Sequence, residues 1–530
     1  MAPIFVGSDN ENSRIRSNRI GFAASTSDPS SASEGDGYYN STDNQLKLYD
    51  GSAFNAVKGS GTVSLVASGT LSNGQTVIVT SDGKVAGVGS TGTSQALGTA
   101  AVFESANASY TAAVYDSTNG KVVIAYDDNG NSSYGTAVVG TVSGTSISFG
   151  TPVVFESATI ANVTAAYDSS NGKVVIAYTD GGNSNYGTAI VGTVSGTSIS
   201  FGSATTFISS VSYNISAAYD STNGKIVIGF RDGGDSNYGK GVVGTVSGTS
   251  ISFGSATTFE SATAVYQSVV YDSTNGKVVI AYRDNGNSSY GTAVVGTVSG
   301  TSISFGTPVV FASHDSEYIS ATFDSTNGKV VIAYGDSTNS LAKCIVGTVS
   351  GTSISFGTAV TFNSATTTYL AATYDSNAGK VVIAYRDEGN SDYGTLIVGS
   401  VSGTSISFGS EVVFESGGVN WISDTFDSTQ KKVVIAYSDG NNSAYGTAIV
   451  FQNESTNLTT ENFIGFSDAA YSDGQTATIQ IISSVDDAQS GLTTGSIHYV
   501  QNNGSLSTTA GNPSVVGGTA LSSTQISVKL

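Results

Sequence analysis

Five aromatic side chains recur at one position of a repeating chain. Six residues before each of seven regularly spaced aspartates stand Tyr110, Asn162, Asn214, Tyr266, Tyr318, Tyr369 and Trp421. A second series, just past the apolar run that follows each aspartate, reads Asp127, Thr179, Arg231, Arg283, Gly335, Arg386 and Ser438. Tyr213, His314, Asp315 and Glu317 add variety beside these positions. Exposed aromatic faces with neighbouring Arg, Asn and Asp groups suit sugar or peptide binding, because the flat apolar surface stacks on the ligand while directed hydrogen bonds orient it. Tyr110, Tyr213, Tyr266, Tyr318, Tyr369, Trp421, Arg231, Arg283, Arg386 and His314 are therefore the ligand-binding candidates. The competing reading is packing, in which the rings plug a channel mouth and the loops have drifted.

The elements that position these residues come from the repeat itself. The aspartates are Asp116, Asp168, Asp220, Asp272, Asp324, Asp375 and Asp427, at intervals of 52, 52, 52, 52, 51 and 52 residues. Each unit holds four strand-like runs, and a period of this length with four strands is the mark of a β-propeller blade. In the first copy an inner strand ends at Asp116, and Asp116 to Gly120 is a tight turn. Lys121 to Tyr126 is a second strand, apolar enough to be covered on both faces. Tyr134 to Val142 is a third strand, and SISFGTPVVF after the Ser143-Gly-Thr145 turn is the outer one. The seven copies predict an all-β, seven-bladed propeller. The fifth copy diverges: its interval is the short one, and Leu341-Ala342 replaces the usual Tyr-Gly.

The last copy stops at Val450-Phe451 without an outer strand, whereas Gly92 to Ser105 aligns with Gly144 to Ser157. An N-terminal outer strand is thus expected to complete the last blade and remove the open edges. The chain would then enter and leave the ring on the nearly uniform face, and the variable residues would share the opposite face. The domains implied are a 1–59 segment with a β-hairpin, a 60–91 base segment, a 92–453 propeller and a 454–530 β-rich module. LSNGQTVIVTSDGKV at 71–85 partly echoes YSDGQTATIQI at 471–481, which suggests that 60–91 and 454–530 pair.

Other chemistry is thinner. Asp128-Asn-Gly-Asn-Ser132 superficially suggests a calcium loop, but it lacks the alternating acidic ligands and reads as a turn. Sialidases also place arginines on propellers, yet Arg231, Arg283 and Arg386 occupy one repeat position with no accompanying sialidase motif. Solvated surface charge is the expectation for them. His314 and His498 are far apart, and no Ser/His/Asp set, phosphate loop or Cys/His metal pattern occurs. The expectation is a protein that is not an enzyme and needs no cofactor or metal. A net charge of −20 argues against nucleic acid and anionic membranes as partners. The lone Cys344 forms no internal disulfide, and MAPIFVGSD is too short an apolar run for a signal peptide or a membrane span.

The flanks carry a resemblance. Residues 27–57, SDPSSASEGDGYYNSTDNQLKLYDGSAFNAV, resemble the GD-x-YYN…YDG-S-A-W/F module near the N-termini of tail fibres and related virion proteins of tailed bacteriophages. Asp36, Tyr38, Tyr39, Asn40, Leu46, Tyr49, Asp50, Gly51 and Phe54 match, with Phe54 in place of the more usual Trp. The region reads as a hairpin turning at Asn44. The stretch from Glu461 to Leu530 is similar to a β-rich module of marine-phage tail proteins. These matches cover about a quarter of the chain. They imply a virion structural protein, assembled in the host cytoplasm and located in the phage tail, whose partners are other tail proteins and a host-surface glycan or protein receptor. They also imply a homotrimer, with Tyr38, Tyr39, Tyr49 and Phe54 as attachment or oligomerisation candidates. The alternatives at this stage are a non-binding spacer or decorating protein and a polysaccharide-degrading enzyme.

Overall fold

The computed structural model describes residues 24–25, 27, 37–40, 45–49, 54–56, 61–89, 94–454, 457–511 and 513–529. The chain forms two compact units, Thr93–Ser455 and the combination of Met1–Gly92 with Thr456–Leu530.

In the larger unit the strands follow one another around a closed ring. Lys121–Asp128 pairs on one side with the C-terminal half of Ala101–Asp116 and on the other with Tyr134–Ser143. Tyr134–Ser143 then pairs with Ser146–Phe149 and with the start of Val153–Asp168. The same antiparallel pattern recurs about Lys173–Asp180, Lys225–Asp232, Lys277–Asp284, Lys329–Asp336, Lys380–Asp387 and Lys432–Asp439. These seven sheets are numbered here as blades 1 to 7 in chain order, and the fold is a β-propeller. Ala96–Leu97 and the start of Ala101–Asp116 complete blade 7 beside Tyr445–Gln452.

One connection differs from the loop that the small polar residues between outer and inner strands, such as Glu156 to Asn162, suggest. No loop separates an outer strand from the next inner strand: Val153–Asp168 runs through 16 residues, outer in blade 1 and inner in blade 2. Blade 6 is the exception, where Val360–Asn363 and Thr367–Asp375 are separate strands.

Each blade is fixed at one end by its aspartate. Asp116, fully buried, accepts from the Thr118 and Asn119 backbone N–H groups at 3.0 and 3.1 Å and from the Asn119 side chain at 2.8 Å. The same capture repeats at Asp168, Asp220, Asp272 and Asp324. Gly120 closes that turn at φ +61°, a conformation costly for residues with a Cβ. The blades are then joined in two layers. The Tyr115 hydroxyl reaches Thr429 of blade 7 at 2.5 Å, and Tyr374 reaches Thr326 likewise. Deeper in, Tyr126, Tyr178 and Tyr282 are fully buried, and each donates to a carboxylate on the preceding blade's outer strand (Glu104, Glu156 and Glu260) at 2.9 to 3.1 Å. In blade 3 both partners are apolar together, Phe230 facing the Ile208 position, so no acceptor is stranded. The innermost strands leave N–H groups facing the channel. Ser216, Ser268 and Ser320 accept from Val269, Ala321 and Ala372 of the next blade at 2.9 to 3.0 Å, which satisfies those donors.

The other unit contains three sheets. Strands 24–25, 37–40, 45–49 and 54–56 form one in that order. The side chains of Tyr38, Tyr39, Tyr49 and Phe54, and the turn at Asn44, lie outside the described residues. A second sheet interleaves the two chain segments in the order Thr62–Val66, Thr476–Gln480, Phe463–Ser467, Thr76–Val79 and Val85–Gly87. The echo between the segments is spatial too: Leu71 and Tyr471 exchange backbone hydrogen bonds at 2.9 Å in both directions. The Gln75 and Gln475 side chains cap Ser72 and Ser472 in the same way, at 2.8 and 2.7 Å. The third sheet spans residues 485–528 and shares an apolar core with the second, including Phe463, Phe466, Val500 and Ile526. His498, 3% exposed, is held there by Thr493 and Ser496.

Candidate functional site

All seven residues of the first series sit in the same backbone state. Tyr110, Asn162, Asn214, Tyr266, Tyr318, Tyr369 and Trp421 have φ between +48° and +54°. The cause is a bulge in every inner strand. Ala112 pairs with Ala125 and Ser109 with Asp127, so Tyr110 and Thr111 together face the single residue Tyr126. The left-handed conformation suits Asn, which occupies it in two blades, but costs about 1–2 kcal/mol for a residue of ordinary shape. The extra residue re-aims its side chain to the mouth of the central channel.

There the aromatics form an arc. Ring centroids are 5.1 Å apart for Tyr266 and Tyr318, 5.5 Å for Tyr318 and Tyr369, 5.2 Å for Tyr369 and Trp421, and 4.1 Å for Trp421 and Tyr110. Asn162 and Asn214 fill the remaining sector: the Asn214 N–H donates to Asn162 Oδ1 at 3.0 Å, and the Asn162 amide donates to Thr179 at 3.2 Å. The arc encloses a cavity of about 220 Å³. All five aromatic rings are half-buried, and burial pushes the Tyr266 hydroxyl up to about 12. None of the four tyrosine hydroxyls in the arc bonds another group among the described residues, unlike those of Tyr126 and Tyr115.

Below the arc, the next residue in each inner strand also lines the cavity. Most are apolar (Val163, Ile215, Ile319, Leu370, Ile422), but blade 4 has Gln267. Gln267 is 7% exposed; its amide N–H donates to Ala264 O at 3.0 Å, and its Oε1 has no donor in the protein. An acceptor buried without a donor costs about 1–3 kcal/mol.

The second series pairs across the sheet with the residue before each arc position, and its members have different fates. Arg283 is held by Asp315 at 3.0 Å and Glu317 at 2.8 Å from blade 5, and by Ser289 at 3.1 Å. Arg386 bonds Asn420 of blade 7 and Asp392, both at 2.8 Å. Their side chains are only 18% and 25% exposed, so the expectation of solvated surface charge is corrected: each guanidinium is tied into a blade junction. Arg231 has no such partner and lies over the Tyr213 ring, 4.3 Å from its centroid. Tyr213 is 36% exposed. Asp127 holds the equivalent place in blade 1, 6% exposed, with Oδ1 unpaired; burial pushes its carboxyl up to about 6.

His314 stands apart from the arc. It stacks on Tyr334 at 5.7 Å and lies 3.3 Å from Asp336, which also binds Lys343 at 2.8 Å. This is the divergent blade, and its histidine belongs to a local polar cluster between strands. The Asp128 loop is a 3-10 turn capped by Asp128 onto the Asn131 N–H. Among the described residues no group of three or more His, Cys, Asp or Glu is placed to hold a metal.

Sequence reasoning thus found the arc but left out Gln267 and Asp127. Gln267 could have been found as the amide in a column otherwise apolar except for Thr111, while Asp127 stands in the second series but is not among the binding candidates.

No family model matches the chain, and no curated protein is similar to it. Solved structures similar to it include the Swd1 β-propeller domain of Myceliophteria thermophila, at 9% identity over 68% of this chain and 99% of that one, TM-score 0.45. The BP39L lectin from Burkholderia pseudomallei matches at 10% identity over 67% and 99%, TM-score 0.47. AofleA from Arthrobotrys oligospora matches at 11% over 67% and 99%, TM-score 0.38. With likenesses this distant, the fold rests on the strand pairings above, and the propeller architecture is what this chain has in common with them.

Proposed function

We propose that the propeller is a binding module that takes a saccharide at the aromatic mouth of its channel. The observation that carries this reading is an arc of five aromatic faces around a cavity that Gln267, with its buried Oε1 lacking a donor, also lines. A plug evolved for packing would leave that position apolar, as five other blades do. A ligand with flat apolar faces and hydroxyl groups complements the aromatic arc and the tyrosine hydroxyls on it. The strained backbone under each aromatic supports the same reading, since stability alone would favour Asn or Gly there. The cavity lining includes no carboxylate, which favours binding over hydrolysis of the ligand.

We further propose that the chain is a tail fibre or tail-tip component of a tailed bacteriophage that presents this mouth to a host-surface receptor. This rests on the resemblance of residues 27–57 and of the C-terminal stretch to phage tail modules. On this reading the smaller unit attaches to other tail proteins and assembles as a homotrimer, and several mouths on one particle turn weak sites into firm attachment.

The test is binding of the full chain to immobilised bacterial surface glycans, with Gln267→Leu, Tyr318→Ala and Trp421→Ala variants checked for folding by circular dichroism. Folded variants should lose at least about tenfold in affinity. Binding by none of the glycans, or binding untouched by all three changes, would overturn the saccharide reading. Mass spectrometry of purified particles tests the virion reading separately, and absence of the chain from them would end it.

A further inference from the structure

Three arginines occupy one repeat position, and two of them show what the third lacks. Arg283 and Arg386 are both held by a group from the next blade, 34 residues on, Glu317 and Asn420, and Arg386 is neutralised by Asp392. The corresponding residue for Arg231 is Val265, and where Arg283 has Asp315 it has Thr263. Asp392, which pairs with Arg386, is matched by Asn237. The nearby carboxylates Asp232 and Asp235 are both taken by Lys240, at 2.8 and 2.7 Å. Arg231 therefore makes no ion pair among the described residues, unlike Arg283 and Arg386. In a chain with 20 basic against 40 acidic residues, a guanidinium left without an ion pair stands out.

Its surroundings are those of a ligand subsite. Tyr213 covers one face of the guanidinium and limits its motion. Tyr213 pairs across the sheet with Arg231 and directly precedes Asn214, which lines the cavity. Blade 4 follows with Tyr266 and Gln267, which line the cavity. The sister Arg283 stands in the same register, paired with Val265, the residue before Tyr266.

Resting on the saccharide reading above, we infer that the ligand carries a carboxylate, as uronic and other sugar acids do, and that Arg231 receives it at the junction of blades 3 and 4. A planar guanidinium matches a carboxylate with two parallel hydrogen bonds. A single unopposed cation neutralises a monoanion, whereas a phosphate dianion calls for more positive charge than this rim supplies. Asp127, two blades away in the same column, leaves the carboxylate one place to go.

The experiment uses the full chain and a panel of bacterial surface glycans, each presented intact and after carbodiimide-mediated reduction of its carboxyl groups to primary alcohols. Intact glycans that bind should weaken about 10- to 100-fold on reduction. Arg231→Ala should weaken them equally and show no further loss on reduced glycans, and Arg231→Lys should restore part of the binding. Arg283→Ala should leave the dependence on carboxyl groups in place. Binding that survives reduction, or an Arg231→Ala variant that still distinguishes intact from reduced glycans, overturns this inference and leaves the saccharide reading standing. Failure to bind any glycan, intact or reduced, removes both.

Discussion

Replacing Tyr318 by glycine should give a more stable protein than replacing it by alanine. Both changes remove the same ring and its contacts to Tyr266 at 5.1 Å and Tyr369 at 5.5 Å, so the comparison isolates the backbone. Tyr318 sits at φ +48°, where any residue with a Cβ carries about 1–2 kcal/mol of steric cost that glycine escapes. Glycine loses about 0.5–1 kcal/mol more than alanine on being ordered. The balance leaves Tyr318→Gly above Tyr318→Ala by about 0.5–1 kcal/mol. Ala321, three residues on in the same strand and outside the left-handed region, is the control: Ala321→Gly should lose about 0.5–1 kcal/mol. Urea midpoints at unchanged slope measure all three. Both Tyr318 variants should bind saccharide equally poorly, one of them despite the relieved backbone. If Tyr318→Ala equals or exceeds Tyr318→Gly, the bulge carries no strain, and the argument that the aromatics are held there for binding loses its energetic support.

Other perturbations address the blade junctions and the rim. Tyr282→Phe should cost about 1–2 kcal/mol by leaving the Glu260 carboxylate without its donor; adding Glu260→Ile, the apolar pair that blade 3 already uses, should show a coupling of about 1 kcal/mol, and strict additivity in urea unfolding would refute the latch. Asp127 is raised in the fold to about 6 from 3.8, so its charged form is disfavoured: it costs stability at neutral pH, and the cost fades as pH falls from about 6 to 3.8. Asp127→Asn should therefore be more stable by about 1–2 kcal/mol at pH 8, after allowance for solvent screening, with the gap closing below pH ~4; a gap that does not change with pH contradicts this. Cys344 is fully buried and its thiol is pushed up by burial, so a maleimide should label it only after unfolding. Rapid labelling of the native protein would show that the junction of blades 5 and 6 opens.

The architecture was legible because the repeat is written in residues with few alternatives. An aspartate that must capture a turn, a glycine at φ +61° after it, and an apolar run covered on both sides recur in register, and these local needs define a blade. The ring position could be seen as a column, but not its backbone: Tyr and Trp are poor residues for a left-handed conformation, and only Asn162 and Asn214 hinted at one. The pairing of Arg283 with Asp315 and Glu317 could not be read either, because it depends on which blade lies beside which and on how far a long side chain reaches. The missing loop between blades had a similar cause, since ESATIAN and its equivalents carry the small polar residues of a loop. They form strand because each half finds a partner in a different sheet.

That shared strand has a consequence for how such a protein changes over generations. Between one mouth residue and the next lies a stretch such as GKVVIAY and VGTVSGTSISFG, nearly the same in every copy. Recombination between two copies of the gene segment would rejoin the chain in frame and in register, because the crossover falls within sequence that both blades use identically. The residue delivered to the rim would change while its turn, its buried aspartate and its neighbours' contacts stayed as they were. A chain built this way can exchange Tyr for Asn, or a neutralised arginine for a free one, one whole blade at a time. Its recognition surface is a shuffled hand of seven cards, and the carrier sequence is the common back that makes them interchangeable.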